Sequence, residues 1–238
     1  MLKGAASDGT PVDVAVCEAQ EAAENASFQW YRIQVWNERS ASWEDPCVAT
    51  GSVPSPRALA VPGVWDESGA RKDKKGQFTF ACENGAIAKC VSWGYQPWAK
   101  KEGLSLAELH QACTRMARAD YCGDGHSHTQ DGSMIDMYDG LQVSTRTLES
   151  SKAWDVARAS FEAAWSPEGA TCLSRTRDGQ TVEELMAQCP GRFELASKDL
   201  GEGDQCQAVR KGPGAKAPQL RNRSYVRDEQ ATTQGVTP

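Results

Sequence analysis

Two of the chain's three histidines stand in one short stretch, Asp124-Gly125-His126-Ser127-His128-Thr129-Gln130-Asp131-Gly132, among carboxylates and glycines. In extended backbone, residues i and i+2 share a face, so His126 and His128, with Asp124 beside them, form a candidate ligand set for zinc or another transition metal. The calcium-loop order D-x-[DN]-x-[DN]-G is absent. The same stretch offers acid–base hydrolysis, with His128 working against Asp120 or Asp124. A nucleophilic site would use Cys122 or Ser127 as the attacking group and His128 or His110 as its base. Against that, there is no Gly-x-Ser-x-Gly elbow and no thiol-protease signature, and a disulfide-bonded cysteine has no thiolate. The plainer reading is a helix-end network holding a loop, with Arg115 and Arg118 near the negative end of the helix dipole and Asp120 paired to one of them or to backbone N–H groups.

A second candidate surface is aromatic. Trp93, Tyr95 and Trp98, joined by glycine and proline, would form a platform for a sugar ring or a peptide, with Arg118 as a further binding residue. The competing reading packs these rings beneath a hairpin, each indole N–H bonded to a backbone carbonyl.

Charge narrows the partners. The net charge of −6 divides into +4 over residues 207–238 and −10 over residues 1–206. An acidic body disfavours nucleic acid and anionic lipid, and Arg221, Arg223 and Arg227 in the basic end read as a solvated run. No stretch approaches the ~18 apolar residues of a membrane span.

The nine cysteines are Cys17, Cys47, Cys82, Cys90, Cys113, Cys122, Cys172, Cys189 and Cys206, with no C-x-x-C pair among them. Scattered cysteines without metal spacing read as disulfide partners, which places the chain in an oxidising compartment. Four bridges and one leftover thiol is the simplest count, with Cys17, Cys47, Cys82, Cys90, Cys113, Cys122, Cys172 and Cys189 as the candidates. Cys113 and Cys122 would each tie to a strand cysteine such as Cys82 or Cys90; a straight helix holds them too far apart to join each other. Residues 1–9 lack the apolar core of a signal peptide, so the expectation is that a leader has been removed. The sequons at Asn25 and Asn222 read as chance occurrences.

The elements that must position these groups follow from local pattern. Val12, Val14 and Val16 alternate, and the aromatic, β-branched run Phe28–Trp36 predicts a strand partly buried on both faces. Residues 51–76 read as an exposed connection. Gln77–Glu83 and Ala86–Trp93 predict a hairpin around Asn84-Gly85. Leu106–Asp120 predicts the principal helix, opened by Ser105 and Glu108 as a capping box. A short strand is expected at Met134–Tyr138. Phe161–Trp165 and Ala170–Thr176 predict a second hairpin, with helix over Ala153–Trp165 as the alternative. Thr181 and Glu184 cap a short helix ending at Cys189-Pro190. From Lys211 onward large apolar residues nearly vanish, and the tail is expected to be disordered.

The run Cys113-Thr114-Arg115-Met116-Ala117-Arg118-Ala119-Asp120-Tyr121-Cys122-Gly123-Asp124-Gly125 contains Ala-Asp-Tyr-Cys and resembles the bacterial ADYC-domain family. Ala86-Ile87-Ala88-Lys89-Cys90, Trp93-Gly94-Tyr95-Gln96-Pro97-Trp98 and Ser127-His128-Thr129 extend the likeness over residues 77–176. The resemblance implies an exported, cysteine-rich bacterial protein and no particular activity.

Together these readings predict an α+β fold: a mainly antiparallel, sandwich-like or barrel-like sheet from residues 1–93 and 133–176, disulfide-stapled, with one principal helix packed on it. One domain is expected over 1–206, followed by the basic tail 207–238. The expected role is a non-enzymatic binding or envelope-associated module, secreted, periplasmic or on the outer membrane, with a saccharide or peptide ligand. The alternative is a secreted hydrolase on the loop 120–131. No cofactor is expected beyond a divalent metal on that loop.

Overall fold

The structure, a computed structural model, describes residues 1–6, 8–23, 27–130, 132–212 and 220–226. The chain divides into two compact units, Met1–Thr114 and the part from Arg115 onward.

The first unit contains β1 (Leu2–Ala5), β2 (Pro11–Glu21), β3 (Gln29–Asn37), β4 (Ser42–Glu44), β5 (Ala58–Pro62), β6 (Val64–Trp65), β7 (Arg71–Lys72) and β8 (Phe78–Cys82). These are followed by α1 (Ala86–Ser92), β9 (Lys100–Lys101), β10 (Leu104–Ser105) and most of α2 (Ala107–Arg118). An antiparallel sheet runs in the order β1-β2-β3-β5-β8, with β4 also on β3; β6–β7 and β9–β10 are two small hairpins. As the composition of β3 predicts, both of its faces are partly buried. Trp30 joins Phe28, Leu59 and Val61 in a cluster that takes in Ala88 and Val91 of α1, while Ile33 packs with Val14, Ala58 and Cys47.

Residues 84–92 depart from the predicted hairpin. A two-residue hairpin turn needs positive φ, whereas Gly85 has φ −86° and ψ 157° and serves as the N-cap of α1. Ala86 and Ala88 favour helix, and the helical register buries Ala88 and Val91 one turn apart. It also brings Cys90 to Cys113 of α2, a bridge between two helices rather than from helix to strand.

The second unit contains β11 (Ser133–Asp139), β12 (Ser160–Ser166), β13 (Gly169–Leu173), α3 (Val182–Gln188), β14 (Phe193–Asp199), β15 (Gln205–Arg210) and β16 (Leu220–Val226). They form one antiparallel sheet in the order β11-β16-β12-β13-β15-β14. The predicted hairpin β12–β13 is buried from Phe161 to Ser166 and from Gly169 to Leu173. The predicted capping box opens α3: Thr181 accepts from Glu184 N–H and the Glu184 carboxylate from Thr181 N–H.

The fold is therefore α+β, mainly antiparallel and disulfide-stapled, but it is not one sheet and not a barrel. The strands before and after α2 belong to separate sheets, each with open edges. Leu220–Val226, assigned by composition to a disordered tail, is an interior strand. Arg221 and Arg223, expected in solvent, reach Asp204 at 3.2 Å and Asp136 at 2.7 Å. Residues 213–219 and 227–238, Arg227 among them, lie outside the described residues, as does Asn25 of the first sequon. Asn222 of the second sequon is buried.

Four bridges form: Cys47–Cys82, Cys90–Cys113, Cys122–Cys189 and Cys172–Cys206. The leftover thiol is Cys17, a bridge candidate by sequence, and Cys206 takes the place expected for it. Cys17 is exposed at a bulge in β2, and neither neighbouring strand carries a cysteine. Among the described residues no helix is long and apolar enough to cross a membrane.

Removing the Cys47–Cys82 bridge by Cys47→Ser with Cys82→Ser is expected to lower the first unit's stability by about 2–4 kcal/mol in denaturant titration. Cys17→Ser is expected to leave the midpoint unchanged.

Candidate functional site

Helix α2 ends in a left-handed turn at Ala119, φ +51°. Ala119 N–H bonds Met116 C=O at 3.0 Å and Asp120 N–H bonds Arg115 C=O at 2.9 Å, the paired closure of a Schellman motif. That turn delivers Asp120, Tyr121 and Cys122 into the interior of the second unit. Asp120, fully buried, pairs with the Arg115 guanidinium and accepts from the N–H groups of Gly123, Asp124 and Gly125 at 2.9, 3.1 and 3.0 Å. Arg115 Nε in turn donates to Pro167 C=O at 3.0 Å.

Tyr121 stacks on Trp165, ring centroids 5.3 Å apart. Its hydroxyl donates to Glu162 Oε1 at 3.1 Å and accepts from Arg177 N–H at 2.7 Å. Burial first, and the Glu162 charge second, push the phenol well above its ordinary pKa. Glu162 is held by Arg177 through two contacts, Nε to Oε2 at 3.1 Å and Nη2 to Oε1 at 2.8 Å, and accepts the Ser224 hydroxyl as well. Burial alone would raise the Glu162 pKa; the Arg177 charge and hydrogen bonds outweigh it and hold the carboxyl below its ordinary value. The remaining guanidinium N–H groups of Arg177 bond the carbonyls of Met116 and Ala117 at the end of α2, at 3.0 and 3.2 Å, and Thr129 Oγ1 at 3.0 Å.

Cys122 is bridged to Cys189, and its carbonyl accepts from Arg192 at 2.7 Å and Arg210 at 3.1 Å. Just beyond it, Gly123 has φ +74° and passes so near the β12–β13 turn that a Cβ would lie 1.8 Å from Glu168 C=O. Glycine is required there by space as well as by conformation.

The histidine loop folds back over the helix end. Arg118 C=O accepts from Ser127 Oγ, His128 N–H and Thr129 N–H at 2.9, 3.1 and 3.2 Å, while the Arg118 side chain donates to Gly125 C=O. Arg118 therefore holds its own loop. His128 is buried, its Nδ1 2.8 Å from Asp178 Oδ2, with Tyr121 and His126 rings 5.5 and 4.7 Å away. In the neutral ring, a carboxylate acceptor favours the tautomer with the proton on Nδ1 and Nε2 as the acceptor. Burial would raise the Asp178 pKa; the bonds from His128 and from Gln180 N–H bring it below the ordinary value. His126 is exposed, and Asp124, also exposed, accepts His126 N–H at 3.0 Å.

These placements separate the residues that the sequence grouped. Asp178, not Asp120 or Asp124, orients His128; it lies 50 residues away and no local pattern marks it. The His126 and His128 rings lie 4.7 Å apart with Asp124 beside them, and among the described residues no three His, Cys, Asp or Glu side chains gather as a metal site. Asp131 lies outside the described residues.

In the first unit, Tyr95 is fully buried, Trp93 half-buried and Trp98 exposed, so the three do not present one aromatic platform. His110 is fully buried with Nε2 3.1 Å from Ile87 C=O, and burial pushes its pKa down to about 4.

The family described as ADYC domain matches residues 1–179. The chain belongs to the ADYC domain family. No curated protein and no solved structure matches it. The four residues that give the family its name are the ones that close α2 and enter the buried network. The matched region ends before α3 and the last three strands of the second sheet.

Glu162→Gln leaves the Arg177 charge buried without a counter-ion, and a loss of about 3–5 kcal/mol is expected. Because the folded pKa of Glu162 lies below its unfolded value near 4.5, its stabilisation is present above about pH 4.5 and lost as the pH falls through the folded pKa. The variant should lack that part of the acid limb.

His110 follows the same sign for a different reason. Its neutral form is the buried one, so stability declines between about pH 6.5 and pH 4, by about 3 kcal/mol in all. His110→Gln should flatten this decline in pH-dependent denaturation.

Proposed function

We propose that the protein works outside the cytosol as a disulfide-stapled, non-enzymatic binding or envelope-associated module, in which the ADYC segment holds the fold together rather than performing chemistry. The observation that carries this reading is the commitment of every reactive group in the segment. Asp120 is saturated by Arg115 and three backbone N–H groups, the Tyr121 hydroxyl both donates and accepts internally, and Cys122 is in a disulfide. Four bridges support an oxidising location, since such cross-links persist poorly in a reducing cytosol. For a saccharide or peptide ligand the first unit offers the half-buried pair Trp36 and Trp43 on β3–β4, centroids 5.6 Å apart, besides exposed Trp98 and Phe78.

A second reading rests on one observation, the Asp178–His128 bond. A half-buried carboxylate on Nδ1 of the buried His128 favours the tautomer that a general base or a metal-binding imidazole requires. A hydrolase of this kind would use His128 and Asp178, with His126 beside them.

One experiment separates the two. Purified protein, with and without added zinc, is assayed on ester, peptide and glycoside panels beside glycan and peptide binding arrays. The module reading expects array binding that Trp36→Ala with Trp43→Ala removes, and no turnover. Turnover that is lost in a folded His128→Ala variant would replace it with the hydrolase.

A further inference from the structure

We infer that the channel between β11 and β12 is a strand-docking site, filled by the chain's own Leu220–Val226 and able to accept the same segment from a second copy. The topology makes the strand a separable part. β16 comes last in the chain yet lies inside the sheet, pairing with β11 from Ser133↔Val226 to Asp139↔Leu220 and with β12 from Ser160↔Ser224 to Trp165↔Leu220. Among the described residues β11 has no other strand neighbour and joins the sheet through β16. The strand also lies beyond the family-matched region, which ends at residue 179.

The channel recognises its occupant by charge and polar contacts more than by apolar burial. Arg223 donates to Asp136 Oδ2 at 2.7 Å and to Thr147 C=O at 2.6 Å, and Arg221 reaches Asp204 at 3.2 Å. Asn222 Oδ1 accepts from Trp165 Nε1 at 2.8 Å, Ser224 donates to Glu162, and the Tyr225 hydroxyl accepts from Asp155 N–H at 2.8 Å. The matching ligand is an extended segment of the form Arg-Asn-Arg-Ser, held by a backbone ladder on both edges and by three buried carboxylates, Asp136, Asp204 and Glu162, a form of strand addition. An empty channel would leave the buried Asp136 without its counter-ion Arg223 and Glu162 without Ser224, which favours a filled channel. The fit is also incomplete: among the described residues Asn222 Nδ2 and Arg223 Nε are buried and meet no hydrogen-bond partner. A donor left unmet weakens the seating and so favours exchange of the strand.

Residues 211–219 join β15 to β16 and reach at most about 30 Å, against roughly 15 Å across three strand spacings. The chain therefore closes on itself easily, and a second copy competes only at high concentration.

The test uses the full chain with a protease site in place of residues 214–217, cleaved after folding. The nicked protein is unfolded and refolded with an excess of labelled peptide 220–226, or of the same peptide carrying Arg223→Ala. The nicked chain should refold, take up the wild-type peptide, and bind the Arg223→Ala peptide at least tenfold more weakly. Intact chains labelled with donor and acceptor dyes, mixed and refolded at high concentration, should yield a dimer with energy transfer. A nicked chain that cannot refold, equal binding of the two peptides, or strictly monomeric refolding of the intact chains would each overturn the proposal.

Discussion

A carboxylate with no solvent exposure, Glu162 on β12, is the constraint on which the second unit depends. Desolvating it costs several kcal/mol, and that cost is offset only if opposite charge and hydrogen bonds meet both oxygens. Arg177, Tyr121 and Ser224 do so from three separate parts of the chain: the segment after β13, the turn after α2, and β16. Because Arg177 also bonds the last carbonyls of α2, the position of the helix end is tied to the charge in the sheet. The family motif follows from this arrangement. Ala119 makes the left-handed closure, Asp120 gathers the next turn and Arg115, Tyr121 joins the Glu162 carboxylate to the Arg177 backbone N–H, and Cys122 fixes the exit to Cys189.

Much of the fold is legible where local pattern decides it. The strands at β3, β8 and β11, the hairpin β12–β13, helix α2 and the capped α3 all follow from periodicity or from capping residues. Ala58–Pro62, inside the residues read as an exposed connection, is the buried interior strand β5. Two further segments depart from their local pattern because distant partners decide them. Leu220-Arg221-Asn222-Arg223-Ser224-Tyr225-Val226 has too little apolar surface to read as an interior strand, and it becomes one because Asp136, Asp204, Trp165 and Glu162 supply distant partners. Ala86–Ser92, read as the return strand of a hairpin, is helix because packing of Ala88 and Val91 selects it.

The candidate site was legible in outline only. The sequence placed the ADYC segment at a helix end and weighed Asp120 as a partner of an arginine or of backbone N–H groups; it has both. Asp178, Glu162 and Arg177 carry no local signal, since each acquires its role through contacts with residues far away in the chain. Aromatic residues misled for a related reason: Trp93, Tyr95 and Trp98 are close in sequence, yet one is buried, one half-buried and one exposed.

Native-state hydrogen exchange tests the central claim, that the ADYC segment is part of the second unit's cooperative core. The amides of Asp120, Gly125, Ala170 and Arg177 bond respectively to Arg115 C=O, Asp120 Oδ2, Tyr121 C=O and the Tyr121 hydroxyl. They should exchange only through unfolding of the whole unit, with the same opening free energy as the β12–β13 amides. Exchange at these positions through low-energy local opening, while the β12–β13 amides stay protected, would contradict the account.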